Sequence, residues 1–251
     1  MKHLARLLLL LLLLLTVVVG SFYAYVRLQK ESGAVPSALL AGITSIRPYR
    51  VSYAGPESDA ACLAAYRFIK SRTNVQYIED GADSRYVSGK NTVYLTREAV
   101  RQDTVEAVHE FGHALDNYLK GDATGYFSRQ DGFANAYAAD CAEMRKSFRV
   151  EGLFTTDAYR NLAISDMLFA AFYEEEEMTR VLYASYNATG VSYWHHERSY
   201  MSRREKRQTE VFADAFTILL SDDEQAKRFL YRWFPASTRQ LMQAVKEKIG
   251  I

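Results

Sequence analysis

The chain has 251 residues, a formal net charge of +1, and an ordinary balance of 49% hydrophobic and 24% charged residues. This length allows one or two domains with a sizeable core. A net charge so close to zero gives no indication of a nucleic-acid or polyanion partner, and we expect no nucleic acid to bind.

The first 30 residues differ from the rest of the chain. Lys2 and Arg6 precede an apolar stretch over residues 7–26, which begins with an unbroken leucine run. A basic start followed by an apolar core is typical of an export signal, and this stretch is long enough to span a bilayer. We predict a signal peptide or signal-anchor helix over residues 1–30, and we favour the anchor slightly because the cleavage pattern is poor. Either outcome places the remaining chain outside the cytoplasm, anchored at the cell surface or secreted.

Residues 31–251 are predicted to form one domain in which a small sheet precedes a helical half. The predicted elements are a strand Ile46–Tyr53, a helix Asp59–Arg72 capped by Ser58, a strand Val75–Ile78, a hairpin of Tyr86–Val87 and Thr92–Leu95, and helices over Asp103–Tyr118, Gly132–Val150, Thr156–Phe172, Glu174–Tyr186, Thr209–Leu220 and Gln225–Ile249, the last interrupted at Pro235. This order indicates an α+β fold that is mostly helical with a small N-terminal sheet. We expect the strand just before the Asp103–Tyr118 helix to be a free sheet edge that binds an extended peptide.

The motif H-E-x-x-H occurs at residues 109–113. On a helix, His109 and His113 lie one turn apart on the same face. Two imidazoles in this arrangement bind a zinc ion, and Glu110 beside them is placed to take a proton from a zinc-activated water. Because the chain has only 5 His, an abundance of histidine does not explain the spacing. We therefore predict a zinc site with both histidines as ligands and Glu110 as the general base.

A catalytic zinc site usually has three protein ligands and one open position, so a third ligand is required. The class H-E-x-x-H-x-x-G-x-x-H is excluded, because Asp116 and Leu119 stand where its glycine and third histidine would be. The best remaining candidate is Glu210, which lies in an otherwise apolar helix where a buried acid needs a partner. Asp214, one helical turn later, is placed to accept the second ring N–H of a ligating histidine.

Two alternatives to the Glu210 assignment stay open. In the first, the acids of this helix face solvent and pair with basic residues of the same segment, Arg203, Arg204 or Arg207. In the second, the third ligand comes from elsewhere, and the sources are His195, His196 and the acidic run Glu174–Glu177. Carboxylates alone suit calcium or magnesium better than zinc, so the acidic run is the weaker source.

Cys62 and Cys141 are the only cysteines. In an exported protein they could form one disulfide, and unpaired thiols in the core are an equally good interpretation. Neither belongs to a C-x-x-C pair, so neither is interpreted as a metal ligand.

The two motifs together resemble the catalytic domain of the anthrax lethal factor family, to which the bacterial Pro-Pro endopeptidases also belong. The family pattern H-E-F-G-H-A-x-D resembles residues 109–116, and the pattern E-F-F-A-E-A-F resembles residues 210–216. The resemblance covers roughly residues 45–235, and residues 91–96 also resemble the family's edge strand. It implies a zincin-like metallopeptidase domain of the gluzincin type, with His109, His113 and Glu210 as zinc ligands and Asp214 in the place of a family Glu.

Two features depart from the family pattern. The interval between His113 and Glu210 is much longer than in the family, which predicts a helical insert near residues 125–190. The family has a tyrosine that steadies the oxyanion seven residues before the ligand Glu, and this chain has Arg203 there. We assign that role to Tyr200, three residues earlier, with Tyr193 as the weaker candidate and a structural role for either tyrosine as the alternative.

The sequence therefore predicts an exported or membrane-anchored zinc metalloendopeptidase that hydrolyses a peptide or protein substrate. The alternative is a non-catalytic, zinc-containing binding or regulatory module at the cell surface. All four residues of the predicted chemistry are present, and a decayed site would more often lose the glutamate, so the enzyme is the favoured interpretation.

Overall fold

The computed structural model describes residues 51–121, 125–148, 162–175, 196 and 198–250. The predicted N-terminal signal or anchor, most of the predicted Ile46–Tyr53 strand, His195 and Tyr193 lie outside these residues. No helix in the described ranges is long and apolar enough to cross a membrane.

The described elements confirm an α+β fold that is mostly helical. In chain order they are α1 (Ala60–Lys70), β1 (Asn74–Tyr77), β2 (Arg85–Val87), β3 (Thr92–Leu95), α2 (Arg97–Gln102), α3 (Val105–Lys120), α4 (Asp131–Ser147), α5 (Leu162–Phe172), α6 (Arg198–Met201), α7 (Arg204–Leu220), α8 (Glu224–Trp233) and α9 (Pro235–Ile249). Short 3₁₀ turns cover Ser88–Lys90 and Phe127–Arg129. Of the predicted helical insert, the structure describes α4, which packs on α9, and α5, which packs on α7.

The three strands form one sheet in the order β1–β3–β2. β3 pairs in parallel with β1, where Val93 lies opposite Val75, and antiparallel with β2, where Val93 lies opposite Tyr86. The predicted hairpin of β2 and β3 is therefore present. The prediction that Thr92–Leu95 is a free edge is wrong, because β1 occupies the second side of β3. A strand paired on both sides has no free backbone groups with which to bind a peptide.

Helix α3 carries the H-E-x-x-H motif and begins where the backbone turns sharply. Asp103 just before it has a left-handed φ of 48°, and Gly121 ends the helix with a φ of 85°, a conformation that glycine adopts without strain. The helix packs against α1, α7 and β3. Its apolar residues, including the fully buried Val108, Phe111 and Leu115, face the core, so the histidines between them are held inside the protein.

Helix α7 runs through the middle of the helical half. Every residue from Arg207 to Leu220 is buried, and the helix packs against α3, α5, α8 and α9. Burying each of its large apolar side chains, such as Phe212 and Phe216, contributes about 1.5–3 kcal/mol. This burial carries Glu210 and Asp214, which are 0% and 1% exposed, into the core. Acids so deeply buried require charged or hydrogen-bonding partners.

Cys62 and Cys141 are both free thiols and both buried. The Cys62 thiol contacts the sulfur of Met242 at 3.5 Å. The structure therefore shows unpaired core thiols, the second of the two interpretations of the cysteines.

Gly112 lies where the backbone of α7 approaches α3 closely. A Cβ atom at this position would lie 3.1 Å from Ala213 Cα and 3.3 Å from Ala213 Cβ. A larger residue here would crowd the neighbouring backbone, and the close approach lets the side chains of His109 and His113 reach those of α7.

We predict that Gly112→Ala lowers the free energy of unfolding by up to about 2 kcal/mol, because overpacking against a backbone costs about 1–3 kcal/mol and the gain in helix propensity returns about 1 kcal/mol. Urea unfolding followed by circular dichroism measures the change. The matched control is Gly89→Ala, where a Cβ meets nothing within 4 Å, and an equal loss in both variants would contradict the steric explanation.

Candidate metal centre

The two histidines of α3 lie against each other on its buried face. Their ring centroids are 4.7 Å apart and the rings are nearly perpendicular, at 88°. His109 is 3% exposed and the His113 side chain is 12% exposed. The helical spacing read from the sequence thus places both imidazoles at the junction with α7.

Glu210 on α7 meets both of these imidazoles with a single carboxylate oxygen. Its Oε2 atom lies 3.1 Å from His109 Nε2 and 3.1 Å from His113 Nε2. The three side chains predicted as metal ligands are therefore in direct contact, although they come from helices far apart in the sequence. The alternative that Glu210 faces solvent and pairs with an arginine does not hold, since Glu210 is 0% exposed and the Arg207 guanidinium binds Glu174 at 2.9 Å.

Asp214 lies behind His109. Its Oδ1 atom is 3.0 Å from His109 Nδ1, on the side of the ring opposite Glu210. A carboxylate in this place holds the ring orientation and keeps the proton on Nδ1, which leaves Nε2 with a lone pair for a metal ion.

A second histidine–carboxylate pair stands beside the first. His196 Nδ1 lies 3.1 Å from Asp166 Oδ2, and His196 Nε2 lies 3.5 Å from Glu210 Oε2. Sequence reasoning considered His196 only as a rival source of the third ligand, and it did not identify Asp166. The overlooked indication was an acid within the apolar run of α5, the same pattern that led to Glu210.

His109, His196 and Glu210 form a group that could hold a metal ion, because their donor atoms all lie within 4.8 Å of one another. The predicted ligand His113 is not part of this group of three, although its Nε2 atom lies 3.1 Å from Glu210 Oε2. With the Nδ1 protons directed at carboxylates, neutral rings at 109 and 196 present Nε2 lone pairs to a carboxylate oxygen. These lone pairs repel one another unless a proton or a metal ion lies between them, so the donor set is one that can hold a metal ion.

The electrostatics of the cluster favour positive charge. Burial lowers the pKa of His196, but the negative charges of Glu210 and Asp166 outweigh it and raise the pKa to about 9. Burial likewise lowers the pKa of His109, and Asp214 and Glu210 more than reverse this, so that the pKa lies well above its usual range. Burial raises the pKa of Glu210, but the adjacent His113 and His196 hold it well below the usual value. The buried carboxylates thus create a negative site in which a cation is stabilised.

Tyr200 lies on the other side of Glu210. Its hydroxyl donates a hydrogen bond to Glu210 Oε1 at 2.7 Å, and its ring stacks on His196 with centroids 4.5 Å apart. Burial, and next the charge of Glu210, raise the pKa of this phenol far above its ordinary value. The hydroxyl therefore stays protonated and remains a hydrogen-bond donor at the site.

Glu110 follows His109 directly on α3 and is 8% exposed. Glu110 adjoins His109 on the helix, and the contacts to Glu210 described above are made by the histidines and Tyr200. Of the predicted acidic run, Glu174 bonds Arg207 and is 71% exposed, whereas residues 176 and 177 lie outside the described ranges.

No protein-family profile, no curated protein and no solved structure matches the chain. The resemblance to the lethal factor family accordingly rests on the two short motifs. The candidate metal centre rests on the contacts that His109 and His113 of α3, Glu210 and Asp214 of α7, Asp166 and His196 make with one another.

We predict that Glu210→Ala lowers bound metal to below about one tenth of the wild-type stoichiometry, because the variant removes the oxygen on which three imidazoles converge. Elemental analysis of protein purified with added zinc measures this. Glu205→Ala, at an exposed site in the first turn of the same helix, is the control and should retain the metal. Full retention of metal by Glu210→Ala would show that the donors lie elsewhere.

Proposed function

We propose that this chain is a zinc metalloendopeptidase. The observation that carries the proposal is the contact of one Glu210 oxygen with both histidines of the H-E-x-x-H helix, with Asp214 behind His109. Two imidazoles and one carboxylate are the protein ligands that hydrolytic zinc sites of this type use. The resemblance of residues 109–116 and 210–216 to the lethal factor family supports the same assignment.

Zinc is the metal that these donors favour. Imidazole nitrogen together with carboxylate oxygen suits zinc, whereas calcium and magnesium prefer oxygen ligands throughout. Two ligand atoms bonded at roughly 2.0–2.1 Å to one tetrahedral zinc lie roughly 3.3 Å apart. In the structure, the separations between Glu210 Oε2 and the three Nε2 atoms are 3.1, 3.1 and 3.5 Å. When bound, zinc lowers the pKa of a water molecule and polarises the carbonyl of the peptide.

Glu110 acts as the general base in this proposal. It takes a proton from the attacking water and passes it to the nitrogen of the leaving amine. It follows His109 directly on α3 and is buried, which limits the access of bulk solvent to its side chain. Glu210 and Asp214 contact the histidines, so neither is assigned the role of base.

Tyr200 supplies a neutral donor at the site. Its hydroxyl holds Glu210 Oε1 in the structure, so it is a positioning residue for that carboxylate. In the reaction we propose that this single O–H turns from Glu210 Oε1 to the oxygen of the scissile carbonyl as negative charge develops there. The raised pKa of the phenol suits both roles, because the donor proton is retained.

The proposed location is the cell surface or the extracellular space. It rests on the basic start and the apolar stretch of residues 7–26. Peptide mass mapping of the mature protein tests it, and a first residue near Ser21 would exclude the uncleaved anchor.

A second candidate function is a non-catalytic metal-containing module. One observation favours it, since His196 adds a fourth donor to the cluster and structural zinc sites usually have four protein ligands. Incubation with a random peptide library separates the two candidates. Cleavage that a chelator abolishes and zinc restores supports the enzyme, whereas no cleavage by the zinc-loaded protein or by its His196→Gln variant supports the module.

We predict that Glu110→Gln lowers kcat by at least about 10²-fold and keeps the bound zinc, because the substitution removes the base and leaves the ligands in place. Cleavage of a library-selected peptide and elemental analysis of the same sample provide the two readouts. Glu106→Gln, one turn earlier at an exposed position of α3, is the matched control and should keep full activity. Undiminished turnover by Glu110→Gln would refute the assignment of the base.

We predict that Tyr200→Phe lowers kcat by about 10²-fold, the usual cost of losing one donor to a developing oxyanion. The bound zinc should be retained, since the ring still stacks on His196. The change should fall on kcat rather than KM, which steady-state kinetics on one peptide would show. An unchanged kcat would leave Tyr200 with the positioning role alone.

A further inference from the structure

His196 is positioned like a metal ligand although it is absent from the H-E-x-x-H helix. Its Nε2 atom faces the same Glu210 oxygen that His109 and His113 contact, at 3.5 Å. Its donor atom also lies within 4.8 Å of the donor atom of His109. Three imidazoles from two separate parts of the chain therefore converge on one carboxylate oxygen.

Asp166 determines which nitrogen of His196 is available. The carboxylate is fully buried on α5, and its Oδ2 atom lies 3.1 Å from His196 Nδ1. This is the same arrangement that Asp214 makes with His109, at 3.0 Å. A buried carboxylate that accepts from Nδ1 keeps the proton there and directs the Nε2 lone pair at the cluster, which is how proteins orient metal-binding histidines. Asp166 is thus a second buried acid that orients a histidine ring of the cluster.

We infer that His196, oriented by Asp166, is a ligand of the same metal ion as His109, His113 and Glu210. The inference rests on the proposed metal centre and extends it, because four protein ligands occupy all the positions of a tetrahedral zinc. In that state the centre is closed and has no position for a water molecule or a substrate carbonyl.

The geometry also identifies His196 as the ligand that exchanges. Its side chain is 20% exposed, against 3% for His109, 12% for His113 and 0% for Glu210. Its distance to Glu210 Oε2 is the longest of the three. His109 and His113 are built into α3, whereas His196 precedes the short helix α6. Departure of His196 from the metal would open one position for water, so His196 would regulate the proposed peptidase by holding it in a closed form.

The test uses the full chain loaded with Co²⁺, whose visible absorption reports the number of ligands and the access of small anions. The wild-type spectrum should show intense bands of a four-coordinate site and should not change on addition of azide. His196→Gln keeps a hydrogen-bond donor for Asp166 and should give a different spectrum that azide shifts. Asp166→Asn should weaken zinc binding by about 10–100-fold in a chelator competition, the usual effect of losing a carboxylate behind a ligating histidine.

Identical spectra and azide responses for wild-type and His196→Gln would overturn the inference, as would an unchanged zinc affinity in Asp166→Asn. Glu175→Gln is the control for Asp166→Asn, because Glu175 is an exposed acid shortly after α5. Circular dichroism of each variant without metal checks the fold, and His196→Ala repeats the test if His196→Gln is unstable. Glu210→Ala distinguishes failure of the metal centre from failure of the His196 inference. Metal retained in Glu210→Ala overturns the metal centre itself. Metal lost in Glu210→Ala, with metal binding unchanged in Asp166→Asn and His196→Gln, overturns only the role of His196.

Discussion

The contact between the Glu210 carboxylate and the imidazoles of α3 is the interaction on which the rest of the site depends. Glu210 is 0% exposed and His109 is 3% exposed, and burying either group alone would be costly. Together with a cation, the carboxylate and the rings satisfy one another in the core. The contact requires α3 and α7 to approach closely, which the absence of a side chain at Gly112 allows. The packing of α3 against α7 therefore determines whether these side chains can meet.

Much of the fold was predictable because it depends on local patterns. The predicted helix Asp103–Tyr118 corresponds to α3 at Val105–Lys120, and the hairpin of β2 and β3 was expected from its turn residues. The cap of α1 was assigned one residue early, since Asp59 rather than Ser58 accepts from the first backbone N–H groups. The prediction of a free edge at β3 was wrong. The parallel pairing of β3 with β1 depends on how the chain crosses over between these two strands, and the periodicity of the sequence does not encode that crossover.

The candidate site was predictable where a charged or titratable residue interrupts an apolar helix face. Helical spacing placed the histidines on one face, and an acid in an apolar helix drew attention to Glu210. Asp166 breaks the apolar run of α5 in the same way and was overlooked, since no motif linked that helix to the site. His196 has no spacing relation to His109, so only the folded chain brings its ring to the cluster. The place of Tyr200 against Glu210 likewise depends on the turn between α6 and α7.

Anomalous X-ray diffraction at the zinc edge, from crystals of zinc-saturated protein, is the most direct measurement of the central claim. The account predicts one strong peak between α3 and α7, at roughly 2.0–2.1 Å from His109 Nε2, His113 Nε2 and a Glu210 oxygen. A peak that these three side chains do not bind, or no peak at this junction under saturating zinc, would contradict it.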